Sequence, residues 1–124
     1  MKILVVDDEK DVQDLFEQKF RKEIKAGEMQ FVFAFSGEEA LVYLNKPDHE
    51  AVLILSDINM PGMSGLELLR MIKERYETAP PFVMMITAYG DAQNYDSAMR
   101  LGADDFLTKP LEFEKLKEKL KAIQ

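Results

Sequence analysis

The chain has 124 residues, of which 47% are hydrophobic and 31% are charged, which suits one globular domain and excludes a disordered or fibrous chain. It contains no cysteine, which excludes disulfides, thiolate metal sites and a cysteine nucleophile. Its formal net charge of −7 argues against direct binding of nucleic acid or of an anionic membrane surface by this domain.

No apolar run approaches the roughly 18 residues of a membrane span. The apolar run that follows Met1 and Lys2 is too short for a signal peptide. We therefore expect a cytoplasmic protein with no membrane contact.

Short apolar runs alternate with amphipathic segments along the chain. The runs predict buried strands, which in chain order are Ile3–Val6, Phe31–Phe35, Ala51–Leu55, Phe82–Ile86 and Phe106–Leu107. Apolar residues recur at helical spacing after each run. The predicted helices run from Asp11 to a stop at Gly27, from a cap at Ser36 to Leu44, from Ser64 to Ile72, over Ala92–Leu101 and over Phe113–Ile123.

The same patterns predict caps, turns and buried faces. Ser36 and Glu39 match a capping box, Pro61-Gly62 marks a turn, and Pro80 and Pro81 predict extended backbone before the fourth strand. The helical side chains expected to be buried are Val12, Leu15, Phe16, Phe20, Ile24, Ala40, Leu41, Leu44, Leu66, Leu69, Ile72, Tyr95, Ala98, Met99, Phe113, Leu116, Leu120 and Ile123.

A strand followed by a helix, five times over, predicts an α/β fold. The sheet should be parallel, with helices on both of its faces and right-handed crossovers. The sequence shows no internal repeat, linker or low-complexity segment, so we expect a single domain over residues 1–124.

Polar side chains stand where four of the five predicted strands end. Asp7 and Asp8 follow the first strand, Asp57 the third, Thr87 the fourth and Lys109 the fifth. Because the carboxyl ends of parallel strands lie on one edge of the sheet, these five residues should converge.

The chemistry of this group indicates phosphoryl transfer. Crowded carboxylates repel one another, and Mg²⁺ prefers such oxygen ligands. Lys109 and Thr87 supply a positive charge and a hydrogen-bond donor that suit a phosphoryl group. No strand ends in a glycine-rich loop of the Walker type, which argues against a bound nucleotide. The pattern therefore predicts an aspartate that accepts a phosphoryl group with the help of magnesium.

Each of these residues also has an ordinary structural explanation when taken singly. Asp7 and Asp8 could cap the first helix, and Asp57 could be a turn residue. Thr87 could simply end a strand, and Lys109 could be a solvated loop residue. Four such coincidences at one sheet edge, in complementary chemical types, are a poor joint explanation. His49 lacks a second histidine for a metal site and is expected at the surface.

Four segments resemble the receiver domain of two-component response regulators. They are Ile3–Glu9, Leu55–Gly65, Ile86–Ala88 and Gly102–Pro110. The resemblance covers the chain from the first strand to the last helix, and the motifs stand in the family's order. It implies a three-layer, flavodoxin-like, doubly wound fold with a five-stranded parallel sheet in the order 2-1-3-4-5.

The resemblance also implies a role for each acidic residue. Asp57 corresponds to the phosphoacceptor, Asp8 to a direct magnesium ligand and Asp7 to a ligand that acts mainly through water. Asn59 stands where its backbone carbonyl would complete the metal shell, and with Asp57 these residues form the implied Mg²⁺ site.

The remaining motif residues correspond to a switch. Thr87 and Lys109 match the hydroxyl and the lysine that contact the phosphoryl group, and Phe106 matches the switch aromatic, here without a tyrosine hydroxyl. Phosphorylation should draw Thr87 toward the phosphate, let Phe106 rotate inward and change the surface of the fourth predicted helix, fifth strand and fifth helix. The Lys109–Pro110 peptide is expected to be cis. Tyr89 is expected to shield the phosphoryl group from hydrolysis.

The implied function is signal transduction in a phosphorelay. A sensor histidine kinase or a phosphotransfer protein would supply the phosphoryl group, and the domain would catalyse only its own phosphorylation and dephosphorylation. An output domain or partner protein would bind the switched surface, and phosphorylation could produce a homodimer. The chain would be either a stand-alone regulator or the N-terminal module of a longer protein.

Two other functions fit the sequence less well. An aspartyl-nucleophile phosphatase would need an acid two residues after Asp57, where Asn59 stands. A flavodoxin-type cofactor binder would need a loop rich in Ser, Thr and Gly after the first strand, where Asp7-Asp8-Glu9 is electrostatically unsuited to a phosphate.

Overall fold

Five strands and six helices alternate along the chain, whose computed structural model describes residues 1–46, 53–76, 81–88 and 91–123. The strands are β1 (Lys2–Val6), β2 (Gln30–Ala34), β3 (Leu53–Asp57), β4 (Phe82–Ala88) and β5 (Asp105–Lys109). The helices are α1 (Asp11–Lys19), α2 (Arg21–Lys25), α3 (Gly37–Leu44), α4 (Gly65–Arg75), α5 (Ala92–Arg100) and α6 (Phe113–Ile123).

The strands form one parallel sheet in the order β2-β1-β3-β4-β5. This confirms the predicted α/β fold and its strand order. The chain leaves β1 toward β2 on one side and later returns to place β3 on the other side of β1. The strand order therefore reverses between β1 and β3, which is where ligands bind in open parallel sheets.

The core consists of two apolar layers, one on each face of the sheet. Ile3 and Val5 point to the layer under α1, α2 and α6, whereas Leu4 and Val6 point to the layer under α3, α4 and α5. This alternation is the period of two that a strand imposes. Because β1 and β3 lie inside the sheet with both faces covered, their apolar residues are almost fully buried.

The first predicted helix is divided into α1 and α2. Phe20 lies between them with φ −105° and ψ 21°, outside helical values. The hydrogen bonds from Phe20 N to Phe16 O and from Ile24 N to Phe20 O are both 2.9 Å, so the helix is interrupted at this point without losing these two backbone hydrogen bonds. The fourth predicted helix is consequently α5, and the fifth is α6.

Several predicted strand ends are displaced by one or two residues. β4 continues to Ala88 and β5 to Lys109, so Thr87 and Lys109 belong to strands instead of following them. β2 begins at Gln30 and ends at Ala34, one residue earlier than predicted. His49, the start of the third predicted strand at Ala51, Pro80 and Tyr89 lie outside the described residues.

The predicted buried faces of three helices need correction. Leu15 is 41% exposed, Tyr95 45% and Met99 43%, and Leu66 is only half-buried. On α4 the predicted Leu69 and Ile72 are buried, and Leu68 is buried in place of Leu66. On α5, the small Ala98 is the buried residue, so the larger side chains on either side of it remain at the surface.

Two helices, α3 and α4, begin directly after the predicted serines. Ser36 Oγ accepts from Glu39 N at 3.0 Å, and Ser64 Oγ accepts from Glu67 N at 3.2 Å. Each cap satisfies one of the free N–H groups of a helix start. Within the described part of the chain, no helix has both the length and the apolar character needed to cross a membrane.

Phe16 is expected to be a main support of the core. Its ring packs against Phe113 at 5.3 Å and Phe31 at 5.5 Å between centroids, and the residue is 1% exposed. Phe16→Ala should lower the free energy of unfolding by about 3–5 kcal/mol, measured by urea denaturation. Leu15→Ala, at the exposed neighbouring position, is the matched control and should cost less than about 1 kcal/mol. Equal losses in both variants would contradict this assignment of the core.

Candidate functional site

The carboxyl edge of the sheet brings together the acidic residues that the sequence singles out. Asp7, Asp8 and Asp57 each offer a carboxylate oxygen, and these oxygens all lie within 4.8 Å of one another. Asp7 follows β1 and Asp57 is the last residue of β3, its neighbour in the sheet. The cluster therefore lies at the point where the strand order reverses.

The backbone holds the two buried carboxylates in place. Asp7 is 6% exposed and Asp57 is 3% exposed. Asp7 N donates to Ala34 O at 3.1 Å, which anchors the end of β1 to β2, and Asp7 Oδ1 accepts from Glu9 N at 2.9 Å. Asp57 Oδ1 accepts a longer bond from Asn59 N at 3.3 Å. One oxygen of each carboxylate is thus fixed by a local amide, and the other can face the site.

Lys109 connects the far side of the sheet to this cluster. Its Nζ lies 2.9 Å from Asp57 Oδ2 and 3.7 Å from Asp7 Oδ2. Because β4 separates β5 from β3, the lysine side chain must reach across the end of β4. The peptide bond between Lys109 and Pro110 is cis, as the resemblance predicted.

Burial and neighbouring charges shift the pKa values of Asp7 and Lys109. The pKa of Asp7 is raised above its ordinary 3.8, mainly because the carboxyl is buried, with the charges of Asp57 and Glu9 adding to the effect. The Glu9 amide and Lys109 oppose this shift without cancelling it. Burial works to lower the pKa of Lys109, but the hydrogen bond and charge of Asp57, together with the charge of Asp7, raise it above 10.5. Lys109 is therefore held in its cationic form at neutral pH.

The residues present fit a hard divalent cation. In the described part of the chain, Lys109 is the ammonium that pairs with Asp7 and Asp57, and the carboxylate of Asp8 lies beside them, so carboxylates outnumber ammonium groups here. Burial also raises the pKa of Asp7 despite the nearby Lys109. A second cation among these oxygens would relieve that imbalance. Asn59 is exposed beside the cluster, and its backbone N–H donates to Asp57 Oδ1. Its role as a carbonyl ligand stays a prediction.

Thr87 and Phe106 lie on the two strands beyond Asp57. Thr87 is 1% exposed, and its Oγ1 is buried with no hydrogen-bond partner among the described residues. An unsatisfied buried hydroxyl destabilises the fold by about 1–3 kcal/mol, so a hydrogen bond from Thr87 to a new acceptor would be stabilising. The Phe106 ring is half-buried and meets Tyr95 edge-on, with 4.7 Å between centroids.

Gly65 is a site residue to which the sequence analysis assigned no role. Its N–H donates to Ile58 O at 2.8 Å. A Cβ built at Gly65 would collide with the carbonyl oxygen of Asp57 and lie 2.8 Å from Ile58 Cα. The start of α4 can therefore approach the end of β3 only because residue 65 has no side chain. The signal was present in the sequence as a glycine directly after the Ser64 cap.

Comparison with known proteins assigns a family to this arrangement. The family model for the response regulator receiver domain matches residues 3–121. A response regulator receiver protein from Pseudomonas putida is 28% identical, with a TM-score of 0.84, and the match covers 98% of this chain and 95% of that chain. A receiver domain protein from Methanospirillum hungatei is also 28% identical, with a TM-score of 0.83 and coverages of 98% and 90%.

A longer protein also contains this fold. NtrX from Brucella abortus is 33% identical, with a TM-score of 0.81. The match covers 98% of this chain but only 26% of NtrX. The same fold therefore occurs both as almost the whole of a solved chain and as a minor part of a longer one.

The raised pKa of Asp7 predicts a pH-dependent effect of its replacement. A carboxyl whose pKa is higher in the folded state destabilises the fold above that pKa, and the penalty disappears below the unfolded value near 3.8. Without divalent cations, Asp7→Asn should therefore be more stable than the parent at pH 7, and the difference should shrink toward pH 3.

Urea denaturation across this pH range measures the effect. Asp96→Asn removes one charge from an exposed position of α5 and serves as the control for the change in net charge. A gain for Asp7→Asn that does not depend on pH would contradict burial of the carboxylate as its cause.

Proposed function

The chain belongs to the response regulator receiver family of two-component signalling, and on that basis we propose that Asp57 accepts a phosphoryl group from a phosphohistidine. The donor is a sensor histidine kinase or a phosphotransfer protein. The observation that carries the proposal is the position of Asp57, which ends a central strand with Lys109 Nζ 2.9 Å from one carboxylate oxygen. A receiver is a phosphoacceptor signalling domain and not an enzyme that turns over a separate substrate.

In the proposed reaction, a carboxylate oxygen of Asp57 attacks the phosphorus in line with the leaving group. A P–O bond forms to Asp57 while the P–N bond to the donor imidazole breaks, and the electrons of that bond remain on the imidazole nitrogen. Lys109 is oriented by Asp57 and Asp7. Its ammonium can follow the developing negative charge onto the phosphoryl oxygens.

Asp7, Asp8 and Asp57 are the side chains proposed to hold Mg²⁺, with the Asn59 carbonyl as a further ligand. When bound, the ion supplies positive charge against the phosphoryl oxygens. The side-chain oxygens already converge within 4.8 Å. Asp8 is partly exposed, so it can bind the ion with less desolvation than its buried neighbours.

The proposed switch starts at Thr87. Its buried Oγ1 has no described partner, so a phosphoryl oxygen on Asp57 would offer the acceptor that it lacks. Movement of Thr87 toward that oxygen frees space for Phe106, which leaves its contact with Tyr95 and turns inward. The surface of α5, β5 and α6 then changes, and an output domain or partner protein reads it. Phosphorylation shifts the balance between these two arrangements because only one of them satisfies the hydroxyl.

Residues 1–124 are proposed to form one receiver domain that works in the cytoplasm and does not itself bind nucleic acid. NtrX shows that a receiver fold can be part of a longer chain. This supports control of an output domain as well as control of a separate partner. The predicted shielding role of Tyr89 lies outside the described residues.

Acetyl phosphate with Mg²⁺ should label one residue, Asp57. Intact-protein mass spectrometry should show the mass of a single added phosphoryl group, and Asp57→Asn should abolish it. Asp96→Asn should be labelled like the parent. Omitting Mg²⁺ should nearly abolish labelling, because the carboxylate cluster repels the incoming anion. Labelling that persists in Asp57→Asn would exclude Asp57 as the acceptor.

Mg²⁺ should stabilise the unphosphorylated fold. An ion that binds only the native state adds about 2.7 kcal/mol at 100 times its dissociation constant. Asp8→Ala should remove this gain, whereas Asp96→Ala should retain it. Thermal unfolding with and without millimolar Mg²⁺, using Ca²⁺ to test selectivity, measures the effect. A melting temperature that does not respond to Mg²⁺ in the parent would contradict the site.

A further inference from the structure

The two edges of the sheet differ in how well they are protected. β5 forms one edge and contains Asp105 and Lys109, followed by Pro110. Charges and proline are the usual means by which an edge strand avoids pairing with another chain. β2 forms the other edge, and its sequence Gln-Phe-Val-Phe-Ala contains no charge, proline or glycine. Such a strand favours pairing with another strand.

Some backbone N–H and C=O groups of β2 do not face β1. Gln30 N donates to Met1 O at 2.9 Å, and Ala34 O accepts from Asp7 N at 3.1 Å. Since alternate residues of a strand direct their N–H and C=O groups to the same side, Gln30, Val32 and Ala34 face β1. Phe31 and Phe33 therefore direct theirs to the outer edge, where no described strand pairs with them.

A groove lies on each face of this edge. The first groove, of about 360 Å³, is lined by Phe31 and Phe33 together with Glu17, Arg21 and Lys25 of the α1–α2 segment. The second groove, of about 340 Å³, is lined by Val32 with Glu39, Val42 and Lys46 from α3 and its end. Val42 is 64% exposed, so apolar surface continues from the strand onto the helix.

Both grooves carry charge in the same order along the strand. The helices run from the carboxyl edge of the sheet back to its amino edge, so Glu17 lies nearer the carboxyl edge than Lys25 by about 12 Å of helix. Glu39 lies in the first turn of α3, and Lys46 follows its last turn. Each groove is therefore acidic toward the carboxyl end of β2 and basic toward its amino end.

We propose that β2 is the interface between two copies of this chain, which pair antiparallel about a twofold axis through Val32. Phe31 of one copy then exchanges backbone hydrogen bonds with Phe33 of the other, and Val32 lies opposite Val32 of the second copy. The antiparallel arrangement sets the acidic end of each groove against the basic end of the same groove in the partner. A parallel arrangement would oppose like charges, so the charge order itself selects an antiparallel second copy as the occupant.

This association needs no phosphoryl group, because none of its residues belongs to the phosphoacceptor site. Sedimentation equilibrium of the 124-residue chain between micromolar and millimolar concentration should show a reversible dimer. Asp57→Asn should dimerise equally well. A monomer throughout this range, dimerisation that appears only after phosphorylation, or binding to β2 of foreign peptides but not of a second copy would overturn the proposal.

Charge reversal tests the opposed ends of the second groove. Lys46→Glu places like charges against Glu39 of the partner and should weaken dimerisation about tenfold. Adding Glu39→Lys to the same chain reverses the order and makes the two copies complementary again, so the double variant should recover most of the affinity. Both residues are exposed, and the circular dichroism of all variants should match the parent. A double variant as weak as Lys46→Glu would contradict the antiparallel register.

A cysteine crosslink tests the position of the axis, because the chain has no cysteine of its own. Non-hydrogen-bonded antiparallel pairs have Cα atoms about 4.5 Å apart, within the disulfide range of about 4.4–6.8 Å. Val32→Cys should therefore form a covalent dimer under mild oxidation. Gln30→Cys would face Ala34 of the partner, with its own copies about 13 Å apart, and should not. Equal crosslinking of the two variants would exclude this register.

Discussion

The ion pair between Lys109 and the two buried aspartates is the interaction on which the site depends. Among the described residues, Lys109 supplies the one ammonium that forms ion pairs with Asp7 and Asp57. It lies on β5, which is adjacent to neither β1 nor β3 in the sheet. This contact connects β5 to β3 across the end of β4. It compensates the cluster only in part, since burial raises the pKa of Asp7 even with Lys109 nearby. Further positive charge among these carboxylates would stabilise their ionised forms.

The rest of the molecule tolerates this imbalance because the sheet interior is strongly apolar. Ile3 and Leu4 of β1, which Asp7 follows, and Leu53 and Ile54 of β3, which ends at Asp57, are at 0% exposure. Burial of one such side chain contributes about 1.5–3 kcal/mol. A rigid core beneath the carboxylates also keeps them close together despite their repulsion. The buried hydroxyl of Thr87, which has no hydrogen-bond partner among the described residues, is a further polar group at this edge whose bonding is incomplete.

The sequence predicts the strands, their common edge and the site residues, because these depend on local period and on one rule about parallel sheets. The sequence does not predict which apolar helical residues face solvent when the apolar stripe of a helix is wider than the surface that packs against the sheet. Leu15, Tyr95 and Met99 all have the spacing of core residues, yet each is more than two-fifths exposed. Phe20 also fits helical spacing, so nothing in the hydrophobic pattern predicts the interruption between α1 and α2. The close approach of α4 to β3 has one sequence signal, the glycine after the Ser64 cap, but a glycine alone does not show which backbone atoms lie against it.

The topology places the two proposed interaction surfaces at opposite edges of one sheet. β5, with α5 and α6, lies on the edge where Phe106 would change position, whereas β2 lies on the other edge beyond β1. The strands between them are the most completely buried part of the described chain, and close-packed interiors do not deform continuously. A side-chain rearrangement at Thr87 and Phe106 therefore has little means of altering the backbone of β2. An interface at β2 would hold two receivers together while leaving each switch surface free, so association and phosphorylation would act as separate inputs.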